Sequence, residues 1–306
     1  IIWLSDKYTD AEISLLESVC DSDIVPWHDK ALVVSALTLS LLRYFDAGKF
    51  IILFRFIRMQ EVMVWERALI GVVLGFLAYN RRIMLYPQII KEVEILKEFP
   101  DIEKHLEAIL IQFTRSKATD SVSRKWEKEV LPEILKMRPR LEDKLDLDNV
   151  LGDTGDQGKN PDWENILSDS PELMGKLEEF SKLQMEGADL FLSTFRMLKH
   201  FSFFNLIDNW FLPFSYPSPI VNDILKNESG PFRNPDLLKG MAESGILCNS
   251  DKYSLILSIP QMPSAQKEMM GQMFMAELGA IREIEKSDEL IQHEKQALSI
   301  SNQYIQ

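Results

Sequence analysis

Cysteine is scarce in this chain, which carries only Cys20 and Cys248 among its 306 residues. The two lie far apart and show no paired spacing, which argues against the disulfide framework that stabilises small secreted domains. The sequence alone leaves a bridge between them open, but it favours two small core residues. Because scarce cysteine is typical of a reducing compartment, we expect a cytoplasmic location.

Long hydrophobic runs are also missing. The longest, Ala31–Leu42 and Ala68–Tyr79, extend over about 12 residues each, whereas a membrane-spanning helix needs roughly 18 or more. Runs of this length are typical of buried core helices, so the sequence predicts no direct membrane insertion. The chain begins without an initiating methionine and ends in mid-pattern, so we expect a piece of a longer protein.

Positive charge is in deficit. Lysine and arginine number 34 against 47 acidic residues, which gives a net charge of −13 and a pI of about 4.9. Nucleic-acid affinity comes largely from cations that neutralise phosphates, and only small basic clusters occur, such as Arg81–Arg82. The sequence therefore predicts no nucleic-acid partner.

Motifs that carry chemistry are missing as well. The four histidines, at positions 28, 105, 200 and 293, are isolated, with no spacing typical of a metal site. The Gly-x-Ser-x-Gly turn of serine hydrolases is absent. Segment 153–164 resembles a calcium loop at three positions, but Gly155 and Pro161 stand where oxygen ligands are needed. We therefore predict no catalytic, cofactor-binding or metal-ligating residue.

Helical spacing is what the sequence does have. Apolar residues recur three and four positions apart, as in Leu106, Ile109, Leu110 and Phe113. The best strand candidate is Tyr253–Ile259, where a short helix fits equally well. The pattern predicts an all-α fold, with helices over 9–20, 26–45, 48–58, 62–80, 87–98, 101–116, 121–136, 172–185, 187–207, 219–226, 235–244, 251–258 and 263–303.

Three regions follow from this pattern. Residues 1–138 form a first helical region and residues 166–306 a second one. Between them, residues 139–165 are rich in glycine and acidic side chains, which predicts a long surface loop or linker.

The first region contains an internal repeat. Lys30-Ala31-Leu32-Val33 aligns with Arg67-Ala68-Leu69-Ile70 at an offset of 37 residues, and each copy opens an almost wholly apolar helix. Such a helix must be sandwiched between neighbours, as in stacked solenoids. About 115 residues here resemble HEAT-like helical-repeat proteins, and also bacterial proteins with tetratricopeptide-type repeats. The resemblance implies stacked helical hairpins, an α-solenoid-like superhelix, and a general habit of binding proteins or peptides.

Aromatic residues concentrate in the second region, between positions 201 and 216. One interpretation is a hydrophobic groove for a partner segment, since aromatics dominate such anchors. The other is core packing at a turn between helices. The candidate partner-binding residues are Trp210, Phe211, Phe214 and Tyr216.

The sequence thus predicts a non-catalytic scaffold that binds a protein or peptide of unknown identity. The alternative is an enzyme whose site is assembled from scattered helical residues. The oligomeric state is not predicted.

Overall fold

The computed structural model describes residues 1–125, 128–129, 175, 198, 200–243, 248–264, 266–268, 270–272, 275 and 300. The chain is mostly helical, with no strand in these ranges, which confirms the all-α prediction. It divides into two compact units, Ile1–Phe113 with Thr194–Gln306, and Thr114–Ser193. The predicted region boundaries near 138 and 165, and the calcium-loop candidate at 153–164, lie outside the described residues.

Six helices, labelled in order among the described ones, occupy the N-terminal part. They are α1 (Asp10–Asp21), α2 (Trp27–Arg43), α3 (Ala47–Arg58), α4 (Trp65–Ile83), α5 (Pro87–Leu96) and α6 (Ile102–Lys125). Local signals fix several starts. Thr9 and Glu12 form a reciprocal capping box before α1, and the Asp46 carboxylate accepts a hydrogen bond from the Gly48 amide at α3.

Alternate helices of this part pack against each other. Helix α1 contacts α3, α2 contacts α4, and α3 contacts α5, while α3 also packs on α2 and α4. Their apolar faces form one buried core that includes Leu37, Leu41, Phe50 and Phe54. Helices α2 and α4 approach closely at Gly71, where a Cβ atom would lie 2.3 Å from the Thr38 hydroxyl.

Short helices among the described residues of the C-terminal part include α7 (Pro219–Ile224), α8 (Pro235–Glu243) and α9 (Asn249–Ser258). Helix α8 begins at the start of the helix predicted over 235–244, and the Asn234 side chain accepts a hydrogen bond from the Asp236 amide at 2.9 Å. The segment at 253–259, left open between strand and helix, is helical up to Ser258. A second core, around Phe214, Leu237 and Tyr253, joins these helices.

Two helix predictions need correction. The predicted break between 116 and 121 is absent because α6 runs through it; this stretch is polar but lacks glycine and proline, so nothing stops the backbone ladder. The helix predicted over 187–207 does not reach 207. Phe201 is extended, and 3₁₀ turns follow at Ser202–Asn205 and Ile207–Trp210.

Those 3₁₀ turns have their own hydrogen bonds. The Asn209 amide donates to the Phe203 carbonyl at 2.7 Å, and the Trp210 indole donates to the Phe204 carbonyl at 2.6 Å. Side chains thus occupy carbonyls that a continuing helix would use, which stabilises the tighter turns.

Candidate functional site

Helix α2 has two apolar faces. Ala31, Val34, Leu37 and Leu41 are fully buried against the neighbouring helices. On another side, a second apolar stripe is only partly covered, at spacings of one, four and seven residues, which places its members together on the helix surface. This stripe consists of Leu32, Val33, Ala36 and Leu39.

The stripe forms the floor of a cavity of about 550 Å³, which we call the α2 cavity. Its walls come from two distant parts of the sequence: Ile1, Ile2 and Trp3 form the N-terminal wall, and Ile207 and Phe211 form a second wall. The volume lies within the range of ordinary ligand pockets, roughly 300–1,000 Å³. The lining is mostly apolar, and its two acidic members are Asp29 and Asp208.

A buried cation holds the N-terminal wall. The Lys49 ammonium is fully buried among four carbonyl oxygens, of which those of Ser5 (3.1 Å) and Asp6 (2.7 Å) belong to the N-terminal segment. Burial lowers the pKa of Lys49, and the nearby Asp46 carboxylate opposes that shift. The Tyr8 hydroxyl also donates to the Ile2 carbonyl at 2.7 Å. These bonds fix the segment beside α2.

A second buried cation contacts the wall formed by Ile207 and Phe211. The fully buried guanidinium of Arg67 in α4 donates to the Ser35 hydroxyl at 2.9 Å and to the Phe211 carbonyl at 3.3 Å. Arginine suits this place because its guanidinium presents several donors in a fixed plane. The wall residue Phe211 is therefore bonded to α4, which also packs on α2, the helix that supplies the floor.

Two carboxylates, which we call the acidic rim, line the cavity, and exposed leucines adjoin its walls in sequence. Asp29 and Asp208 are both exposed, and neither forms a salt bridge with any residue in the described ranges. Beside the wall residues in sequence, Leu4 is 64% exposed and Leu206 is 61% exposed. An apolar group that carries a nearby positive charge fits this combination.

The structure distributes the four predicted partner-binding aromatics differently. Phe211 is half-buried and lines the α2 cavity. Phe214 is fully buried and packs edge-on against Tyr253, so it belongs to the second core and not to an accessible surface. Trp210 and Tyr216 are half-buried and pack on the same core.

The residues that the sequence analysis missed are those of the α2 stripe and the N-terminal segment. The signal in the sequence was the apolar character of α2 on nearly all sides, which requires cover on more than one face. What covers the second face could not be inferred, because both walls reach it through long-range contacts.

A separate polar cluster lies at the start of α9. The Cys248 sulfur is 3.0 Å from the Ser250 hydroxyl and 3.0 Å from an Asp251 carboxylate oxygen, and the buried Lys252 ammonium donates to the Ala242 carbonyl at 3.3 Å. Burial, and then the Asp251 charge, raise the pKa of Cys248 well above its ordinary value. Because a nucleophilic cysteine needs the thiolate, this geometry favours an inert, protonated thiol.

Cys20 and Cys248 are both buried free thiols, which confirms their prediction as core residues. Within the described ranges, no three or more His, Cys, Asp or Glu side chains gather as a metal site would require. No helix in those ranges combines the length and apolarity needed to cross a bilayer.

Comparison with protein-family models, curated proteins and solved structures finds no match for this chain. The resemblance to HEAT-like and tetratricopeptide-type repeats therefore stays a prediction.

Proposed function

We propose that this chain is a non-catalytic, α-solenoid-like scaffold that binds a segment of a partner protein at the α2 cavity. The observation that carries the proposal is the second apolar face of α2, which forms the floor of a cavity of about 550 Å³. A helix of a folded chain buries its apolar faces, and a concave apolar site with few polar groups is typical of a binding site.

The order of helix contacts supports the scaffold part of the proposal. Helices α1, α3 and α5 contact one another in sequence, and α2 contacts α4. Stacked hairpins produce this pattern because each helix meets its counterpart in the next hairpin. The 37-residue offset between the openings of α2 and α4 agrees with such a unit.

The enzyme alternative has less support. A group of reactive side chains in the described ranges is the cluster of Cys248, Ser250, Asp251 and Lys252, and all four are buried. The raised pKa of the thiol is the opposite of what a cysteine nucleophile requires.

The test is partner capture that depends on the cavity. Ala36→Trp places an indole on the floor, whereas Ala11→Trp adds the same group to an exposed position of α1, outside the cavity. Wild type, both variants and their circular dichroism spectra would be compared, with mass spectrometry of proteins captured from extract.

We expect wild type and Ala11→Trp to enrich the same protein and Ala36→Trp, still helical, to lose it. Equal capture by all three proteins would contradict binding at the cavity.

A further inference from the structure

We infer that the α2 cavity binds a basic amphipathic segment, with apolar side chains in the cavity and lysine or arginine beside the acidic rim. This inference rests on the proposed function and names the chemistry of the partner. It joins two independent observations, the apolar cavity and the charge that surrounds it.

The apolar part follows from the lining. Leu32, Val33, Ala36 and Leu39 supply the floor, and the exposed Leu4 and Leu206 extend apolar surface in sequence beyond the walls. A small ligand buries most of its own surface inside a pocket and gains little from apolar side chains outside that pocket. A peptide is long enough to reach beyond the cavity, and several of its side chains can act as anchors in line.

The charged part follows from the two carboxylates. Asp29 lies in the first turn of α2, and Asp208 lies in the 3₁₀ turn that also contains the wall residue Ile207. No lysine, arginine or histidine is among the residues that line the cavity. Two exposed carboxylates without a salt-bridge partner in the described ranges therefore attract a cation on any segment seated between them.

The whole-chain charge points the same way. A net charge of −13 steers cationic partners toward the protein and repels nucleic acids and anionic lipid surfaces. Among macromolecules that offer apolar anchors and positive charge together, a basic amphipathic peptide fits best.

The experiment uses three fluorescently labelled peptides of about 18 residues, a length at which isolated helices begin to be stable. The first carries leucines along one face and lysines on the flanks. The second replaces the lysines by glutamates, and the third replaces the leucines by serines. Fluorescence polarisation gives the dissociation constant of each for the full chain.

Two charge variants are compared. Asp29→Asn with Asp208→Asn removes the acidic rim. Asp10→Asn with Asp223→Asn is the matched control, because it changes net charge equally at exposed positions outside the cavity. Asp10 also lies in a first helical turn, so the control reproduces the loss of a favourable helix-dipole contact.

We expect the leucine–lysine peptide to bind and the other two to bind at least tenfold more weakly. The rim variant should weaken binding about five- to tenfold, the effect of two exposed charge pairs, and the control variant should change it less than twofold.

Two further results would overturn the inference in distinguishable ways. If the lysine and glutamate peptides bind equally and Ala36→Trp abolishes both, the cavity binds partners but the basic chemistry is wrong. If Ala36→Trp binds the leucine–lysine peptide as tightly as wild type, both the inference and the proposed function fail.

Discussion

Because α2 and α4 approach closely at Gly71, we predict that Gly71→Ala lowers the free energy of unfolding. In Gly71→Ala the new methyl group would lie 2.3 Å from the Thr38 hydroxyl oxygen, far below the 3.0 Å under which real Cβ contacts essentially never occur. Thr38 is fully buried and its hydroxyl donates to the Val34 carbonyl at 2.9 Å, so it cannot move aside without losing that bond. The helices must separate or the hydroxyl must rotate.

The magnitude follows from two opposing effects. Overpacking a buried contact costs roughly 1–3 kcal/mol, and so short a distance calls for the upper end. Alanine is favoured over glycine within a helix by about 1 kcal/mol. The free energy of unfolding should therefore fall by about 2 kcal/mol in Gly71→Ala.

The Thr38→Ala background reverses the sign. Thr38→Ala removes the Thr38 hydroxyl and Thr38 methyl group. Of the Thr38 atoms near the alanine methyl group at position 71, only the Cβ then remains. It lies 3.4 Å away, which is an ordinary van der Waals contact. Gly71→Ala should then stabilise the protein by about 1 kcal/mol through helix propensity alone. The coupling between the two positions is thus about 3 kcal/mol.

Urea unfolding followed by far-ultraviolet circular dichroism measures all four proteins of the cycle. Thr38→Ser is the matched control because it keeps the hydroxyl, so Gly71→Ala should remain destabilising there. A coupling below about 0.5 kcal/mol, the level of independent sites, would refute the conclusion that this contact sets the approach of α2 and α4.

Three further predictions concern buried titratable groups. Lys49→Met leaves several carbonyls without their donor and should lower the free energy of unfolding by roughly 2–4 kcal/mol, with faster tryptic cleavage after Lys7 as the N-terminal segment loosens. Burial lowers the pKa of Lys252 to about 8 from 10.5, so the unfolded chain binds more protons between those pH values. The stability of wild type relative to Lys252→Met, from urea unfolding, should therefore rise by about 3 kcal/mol as pH increases from about 8 to 10.5. Burial raises the pKa of Cys20 to about 11 from 9.0. In a Cys248→Ala protein, Cys20 of the folded chain should therefore react with a disulfide reagent near neutral pH about 100-fold more slowly than Cys20 of the chain unfolded in urea.

Each of these has a result that would contradict it. For Lys49, equal cleavage of wild type and variant would show that the carbonyl cage does not hold the segment; Lys97→Met, at an exposed ion pair, is the neutral control. For Lys252, a stability difference that does not change with pH would mean that the ammonium is not desolvated. For Cys20, equal rates in folded and unfolded protein would mean an accessible thiolate.

Helix positions in the N-terminal part could be predicted because the signals are local. Apolar spacing placed α1 to α5 within a few residues, and it placed the start of α8 at the observed residue. Two helix ends were predicted wrongly. The polar stretch after Ser116 was interpreted as a break although it contains no helix breaker, and the aromatics after Phe201 continued a helical spacing although side chains there compete for the carbonyls.

The candidate site could be predicted only in part. The aromatic cluster drew attention to Phe211, which lines the cavity, but also to Phe214, which is core. Whether Phe211 or Phe214 lines the cavity or enters the core depends on which distant segment of the chain packs against it. The N-terminal wall depends on a contact between Lys49 and Ser5, more than forty residues apart, and no periodicity encodes such a contact.

The two sequence segments that align at an offset of 37 residues each carry a buried cation. Lys30 and Arg67 occupy matching positions of these segments, and both are buried, although such side chains are rarely inside without partners. The Lys30 ammonium pairs with the Glu61 carboxylate at 2.8 Å, just before α4, whereas Arg67 bonds a hydroxyl of α2 and the Phe211 carbonyl. The Lys30 cation thus joins α2 to the connection that precedes α4. The Arg67 cation joins α4 to α2 and to the wall residue Phe211 of the candidate binding surface, and one guanidinium nitrogen donates both bonds.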